Sequence, residues 1–150
     1  MSVLNIDNSL LLIIDIQEKL LNSAFNKDLL FKKAEILAKA SNILEIPCIV
    51  TEQYPKGLGA TVHEITQNVK QTTFEKLSFN AIENTEILNC IKNTGKKQII
   101  LAGIETHICV RQTAEALLSN GYDVSIVKDS CGSRTEFEHS AGLDIMKHEG

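Results

Sequence analysis

The chain has 150 residues, 43% of them apolar and 23% charged, with only 8 Gly and 2 Pro. That length suits one domain (1–150) with a real core, and the composition excludes long disorder and a collagen-like chain. Net charge is -4, from 15 basic against 19 acidic residues, which opposes a nucleic-acid partner, because such a partner requires a basic surface to displace counterions.

No apolar run approaches the roughly 18 residues of a membrane span. The longest run stops at Asp15, so no membrane partner is expected. The start, Met1-Ser2-Val3-Leu4-Asn5, lacks the basic and apolar stretches of a secretory signal. Cys48, Cys90, Cys109 and Cys131 form no CxxC pair and read as reduced thiols of a cytoplasmic protein.

In chain order, residues 10–14 are a short continuous apolar run, as in a strand buried on both faces. Residues 28–45 carry apolar side chains at helical spacing. Residues 47–51 read as a second strand, and 61–69 as a weak helix. Residues 85–93 form a stronger helix, closed by Gly95. A third strand at 98–102 is followed by a helix over 106–120 that stops at Gly121. A fourth strand at 123–127 precedes a last helix over 135–148. Strands alternating with helices predict an α/β fold, an open, mostly parallel sheet with helices on both faces. Ligands of such sheets bind beyond the carboxyl ends of the strands, so the residues just after each apolar run are the ones to read for chemistry.

Cys109 stands near the start of a predicted helix, after a buried strand. Unpaired N–H groups and the helix dipole favour a thiolate there, and this position predicts a lowered pKa and a nucleophile. A small packing residue fits the same position, and position alone leaves both readings open. Asp15 ends the first strand. A carboxylate after five apolar residues is costly to bury unless paired, and it suits a general base or a cap. Lys76, in Thr73-Phe74-Glu75-Lys76-Leu77-Ser78-Phe79, reads alone as an ordinary lysine. Beside the other two groups it can hold their charges.

Together these segments resemble a known family. Asp15 in Ile14-Asp15-Ile16-Gln17, Lys76 in Glu75-Lys76-Leu77-Ser78-Phe79, and Cys109 in Gly103-Ile104-Glu105-Thr106-His107-Ile108-Cys109-Val110 are similar to the Asp-Lys-Cys constellation of the isochorismatase-like cysteine hydrolases. The segments 51–59 and 129–134 look closer to the isochorismatase-domain-containing branch than to the nicotinamidases. The resemblance implies a mechanism. Asp15 deprotonates Cys109, Lys76 stabilises the charges, and the thiolate attacks the carbonyl of a small amide-like substrate to give a thioester that water releases. It also implies a non-proline cis peptide at Ile104–Glu105, with the Glu105 and Cys109 N–H groups forming an oxyanion hole. Homo-oligomers are common in the family.

Departures from the family pattern carry information too. Nicotinamidases bind a metal through an Asp and two His after the second strand, where this chain reads Glu52-Gln53-Tyr54. His63, His107, His139 and His148 form no HxH or HxxxH pair, so no metal and no other cofactor is expected. Isochorismate-cleaving members lack the cysteine, and Cys109 argues against that reaction. The family also continues with a further short strand and tail, so the resemblance implies either a truncated chain or a sheet one strand smaller, with an exposed edge. Gln17, Gln53, Tyr54, Phe79 and His107 are candidate substrate contacts, while Asp129 and Arg134 are expected to cap the last helix and brace the loop before it. Two other readings stand beside the hydrolase: a non-catalytic interaction protein, and a redox-sensing thiol protein in which Cys131 approaches Cys109.

Overall fold

A computed structural model describes residues 3–70 and 73–150. Met1, Ser2, Gln71 and Thr72, and with them the start of the leader reading, lie outside the described residues. Five strands form one parallel sheet: β1 (Ser9–Ile14), β2 (Cys48–Gln53), β3 (Phe74–Lys76), β4 (Gln98–Ile104) and β5 (Asp123–Gly132). Their order is β3-β2-β1-β4-β5. The helices are α1 (Glu18–Ser23), α2 (Lys27–Ile43), α3 (Pro55–Leu58), α4 (His63–Thr66), α5 (Thr85–Thr94), α6 (Arg111–Ser119) and α7 (Glu136–Glu149).

Every residue of β1 is buried, because the strand is covered on both faces. Its alternate side chains feed two cores. Leu10, Leu12 and Ile14 join Ile87 and Ile91 of α5, Leu117 of α6 and Met146 of α7. Leu11 and Ile13 join Leu21 of α1, Leu30 and Ala34 of α2, and Ile65 of α4. The result is a three-layer α/β/α sandwich, as the alternation of elements predicts.

The differences from the expected elements have local causes. The helix at 61–69 contracts to the single turn of α4. The helix expected over 106–120 is in fact two segments, a π-helical turn over Thr106–Val110 followed by α6. β5 runs five residues beyond its apolar run, through Cys131 to Gly132. β3 carries no apolar pattern and exists by pairing with β2, Gln53 facing Lys76. It occupies one edge of the sheet, and β5 occupies the other. No described helix is long and apolar enough to cross a membrane.

Topology then positions the site. From β1 the chain adds β2 and β3 on one side, then returns to place β4 on the other side of β1. The order reverses between β1 and β4, and the crevice beyond their carboxyl ends is where such sheets bind ligands. Asp15 follows β1 and Cys109 follows β4, so the two flank this crevice.

Candidate active site

Asp15 takes a left-handed backbone, φ 53°, immediately after β1. Asp tolerates that region better than most residues, and such backbone clusters at functional sites. The turn is held by its own N–H, which donates to the Thr51 carbonyl at 3.1 Å, and by its carbonyl, which accepts from Gln17 N–H at 2.8 Å. The carboxylate is fully buried. Thr51 Oγ1 donates to Oδ1 at 2.8 Å, and Lys76 Nζ lies 2.8 Å from Oδ2.

Lys76 reaches this carboxylate from the edge strand with its side chain wholly out of solvent. A buried ammonium costs several kcal/mol unless its donors are paired. Here they are: Nζ donates to Gln53 Oε1 at 2.8 Å and to the carbonyls of Ser78 at 3.0 Å and Phe79 at 3.3 Å. Cys109 Sγ lies 3.8 Å from the same Nζ. Three side chains separated by 61 and 33 residues of sequence thus meet in one cluster.

Cys109 departs from its expectation in one respect. Its thiol is pushed up to about 12, first by burial and then by the Asp15 carboxylate, while Lys76 and a hydrogen bond from the Glu105 backbone N–H pull it down. The physical reason is local: the sulfur sits in a π turn that precedes α6, almost excluded from water, beside an anion as well as a cation. The resting group is therefore a neutral thiol in contact with a carboxylate. The Ile104–Glu105 peptide is cis.

The remaining candidates divide. Gln53 serves Lys76 through Oε1, and its Nε2 donates to the Leu77 carbonyl at 2.8 Å. Tyr54 and Phe79 are both about half exposed, at 52% each. Tyr54 lines a cavity of about 590 Å³ beside Lys76, with Lys56, Glu75, Leu77 and Glu83. Gln17 is wholly buried, its amide bonded to the main chain at Gln53 and Gly59, so it braces the loops and does not meet solvent. His107 turns to Ser133, with Nδ1 2.9 Å from its hydroxyl, and its backbone lies against Gly142 of α7.

Asp129 and Arg134 do not cap α7. Asp129 faces Lys33 and Arg134 faces Glu105, while Thr135 and Glu138 form the capping box. Sequence spacing of histidines also misses one grouping, because its third member comes from α7. Ligand atoms of Glu105, His107 and Glu138 lie within 4.8 Å of one another, with the Arg134 guanidinium 3.7 Å from Glu105. The sequence gives no signal for Thr51, which resembles any strand threonine until its neighbour is known.

A family model described as the isochorismatase domain matches residues 9–150. The chain belongs to the isochorismatase family. Isochorismatase family protein 1A of Dictyostelium discoideum is 39% identical over 150 residues, 96% of this chain and 72% of that protein. Among solved structures, the MAR1 ribonuclease of Caenorhabditis elegans has a TM-score of 0.92 at 34% identity, covering 99% of this chain and 77% of that one. The YcaC product of Escherichia coli, described as an octameric hydrolase of unknown specificity, has a TM-score of 0.94 at 27% identity over 98% of this chain and 74% of that one. YcaC of Pseudomonas aeruginosa, solved with hexane-2,5-diol and covalent acrylamide, has a TM-score of 0.93 at 28% identity over 98% and 75%. Isochorismatase-family members form a hydrolase superfamily, and this chain has their fold.

Proposed function

We propose that this chain hydrolyses the C–N bond of a small amide-like molecule through a thioester on Cys109. The observation that carries the reading is the contact set itself: carboxylate, ammonium and thiol within 2.8 and 3.8 Å at the switch point of the sheet. As sulfur attacks the carbonyl carbon, the thiol proton passes to Asp15, and the new S–C bond leaves an oxyanion. The Glu105 and Cys109 N–H groups receive that oxyanion. The C–N bond breaks as Asp15 returns the proton to the amine. Water then attacks the thioester, Asp15 takes its proton, and the thiol leaves reprotonated. Lys76 pairs with the Asp15 carboxylate and steadies sulfur as its charge develops.

Covalent acrylamide on the Pseudomonas aeruginosa neighbour supports a nucleophile of this kind, since acrylamide is an electrophilic small amide. The octameric Escherichia coli neighbour supports a homo-oligomer here. The C. elegans neighbour is named a ribonuclease. The acidic excess of this chain, 19 against 15, favours a small substrate over RNA.

The test exposes the intact protein to acrylamide and to a panel of primary amides. Mass spectrometry is expected to find one acrylamide on Cys109, and hydroxylamine to trap an acyl group from a turned-over amide. Adducts confined to the more exposed Cys90, or cleavage of an RNA oligonucleotide with every amide left intact, would overturn the reading.

A further inference from the structure

The residues that hold the cluster in shape come from a strand that contributes no member to it. Thr51 and Gln53 lie two apart on β2, so their side chains leave the same face of the sheet. β2 runs between β1, which delivers Asp15, and β3, which delivers Lys76. We propose that Thr51 and Gln53 are positioning residues of this site, a clamp that fixes the Asp15 carboxylate and the Lys76 ammonium relative to the Cys109 sulfur.

Thr51 meets Asp15 twice. Its carbonyl accepts the Asp15 N–H at 3.1 Å, and its hydroxyl donates to Oδ1 at 2.8 Å. Lys76 occupies Oδ2 at 2.8 Å. With the hydroxyl on one oxygen and the ammonium against the other, rotation of the carboxylate breaks a hydrogen bond or an ion pair. The hydroxyl is buried, and Asp15 is the partner that satisfies it. Valine has the same shape and fills the same space, so the hydroxyl serves the carboxylate rather than packing.

Gln53 does the corresponding work for the cation. Oε1 accepts from Lys76 Nζ at 2.8 Å, and Nε2 anchors on the Leu77 carbonyl at 2.8 Å. Its main chain is locked by buried Gln17, whose Oε1 accepts the Gln53 N–H at 2.7 Å and whose Nε2 donates to the Gln53 carbonyl at 2.9 Å. The ammonium on its short edge strand is thereby tied to an interior strand.

This inference rests on the reading that Asp15 accepts the Cys109 proton. The charged and titratable groups facing that carboxylate are Lys76 from β3, Cys109 from the turn after β4, and Glu52 from β2. The experiment follows alkylation of Cys109 in the full chain by iodoacetamide, a neutral probe, from pH 5 to 9. Without the Thr51 hydroxyl the carboxylate loses the donor that holds Oδ1. Thr51→Val is therefore expected to slow labelling about tenfold. Thr51→Ser, which keeps the hydroxyl, restores the rate. Gln53→Met slows labelling several-fold.

A Thr51→Val profile that overlays the wild type, or a Thr51→Ser loss as large as that of valine, overturns the clamp. If Thr51→Val does not fold, the partly exposed Gln53→Met decides, and an unchanged rate overturns it. Asp15→Asn separates the two levels. Unaltered labelling in that variant sinks the base reading itself, whereas slow labelling there with a normal Thr51→Val profile sinks only the clamp.

Discussion

Cys109 and Cys131 are both buried thiols near the end of β4, and burial pushes both up to about 12. Their surroundings differ. Cys131 sits in β5 opposite Gly103, with a backbone hydrogen bond there and the more distant charge of Asp129. Cys109 has a carboxylate and an ammonium at its sulfur. Acidity at rest does not distinguish these two cysteines; a neighbouring proton acceptor does. In the present account the nucleophile is made at the moment of attack and not held ready as a thiolate.

The largest expected effect sharpens that contrast. Cys109→Ala abolishes acrylamide capture and amide turnover, whereas Cys131→Ala keeps both and costs about 1–2 kcal/mol of stability. Activity assays beside urea unfolding check the pair, and activity surviving in Cys109→Ala would remove the contrast altogether. Next comes the cation. Lys76→Met is expected to lower Cys109 labelling about 100-fold and stability by about 3–5 kcal/mol, because it strands a buried carboxylate without its partner.

A further effect, on stability alone, treats the thiols alike. Cys48, Cys109 and Cys131 each rise from 9.0 to about 12 on folding. Between those values the unfolded chain has lost protons that the folded chain retains, so stability is lost as pH rises. The slope is about 1.4 kcal/mol per pH unit for each thiol. Melting scans from pH 8 to 11 should show it, and Cys131→Ala should remove about a third. A flat curve would contradict the burial of these sulfurs. The smallest effect lies in the support behind Cys109. A Cβ on Gly142 would come 2.8 Å from His107 Cα. Gly142→Ala should push α7 off the nucleophile turn at a cost of about 1–3 kcal/mol, read as a lowered melting temperature.

How much of this was legible in the sequence depends on where each residue lies. β1, β2 and β4 are interior strands, and burial on both faces writes them as continuous apolar runs. Asp15 stands out because it interrupts such a run. Lys76 lies on a three-residue edge strand whose pairing with Thr51, Glu52 and Gln53 is a tertiary fact, so only the family resemblance marked it. Cys109 was visible, but its proton affinity was not: a helix start was expected where a π turn stands, and the anion beside the sulfur arrives from 94 residues earlier. Gln17 resembles a substrate contact from its place after β1, yet its hydrogen bonds to Gln53 at the end of β2 and to Gly59 turn it inward.

The most direct measurement compares Asp15→Asn with the wild type for iodoacetamide labelling at pH 7, read residue by residue. The account predicts that wild-type Cys109 labels faster than Cys90 despite being more buried, and that Asp15→Asn slows Cys109 at least about 100-fold while leaving Cys90 unchanged. Equal rates at Cys109 in the two proteins would contradict the claim that this carboxylate takes the thiol proton.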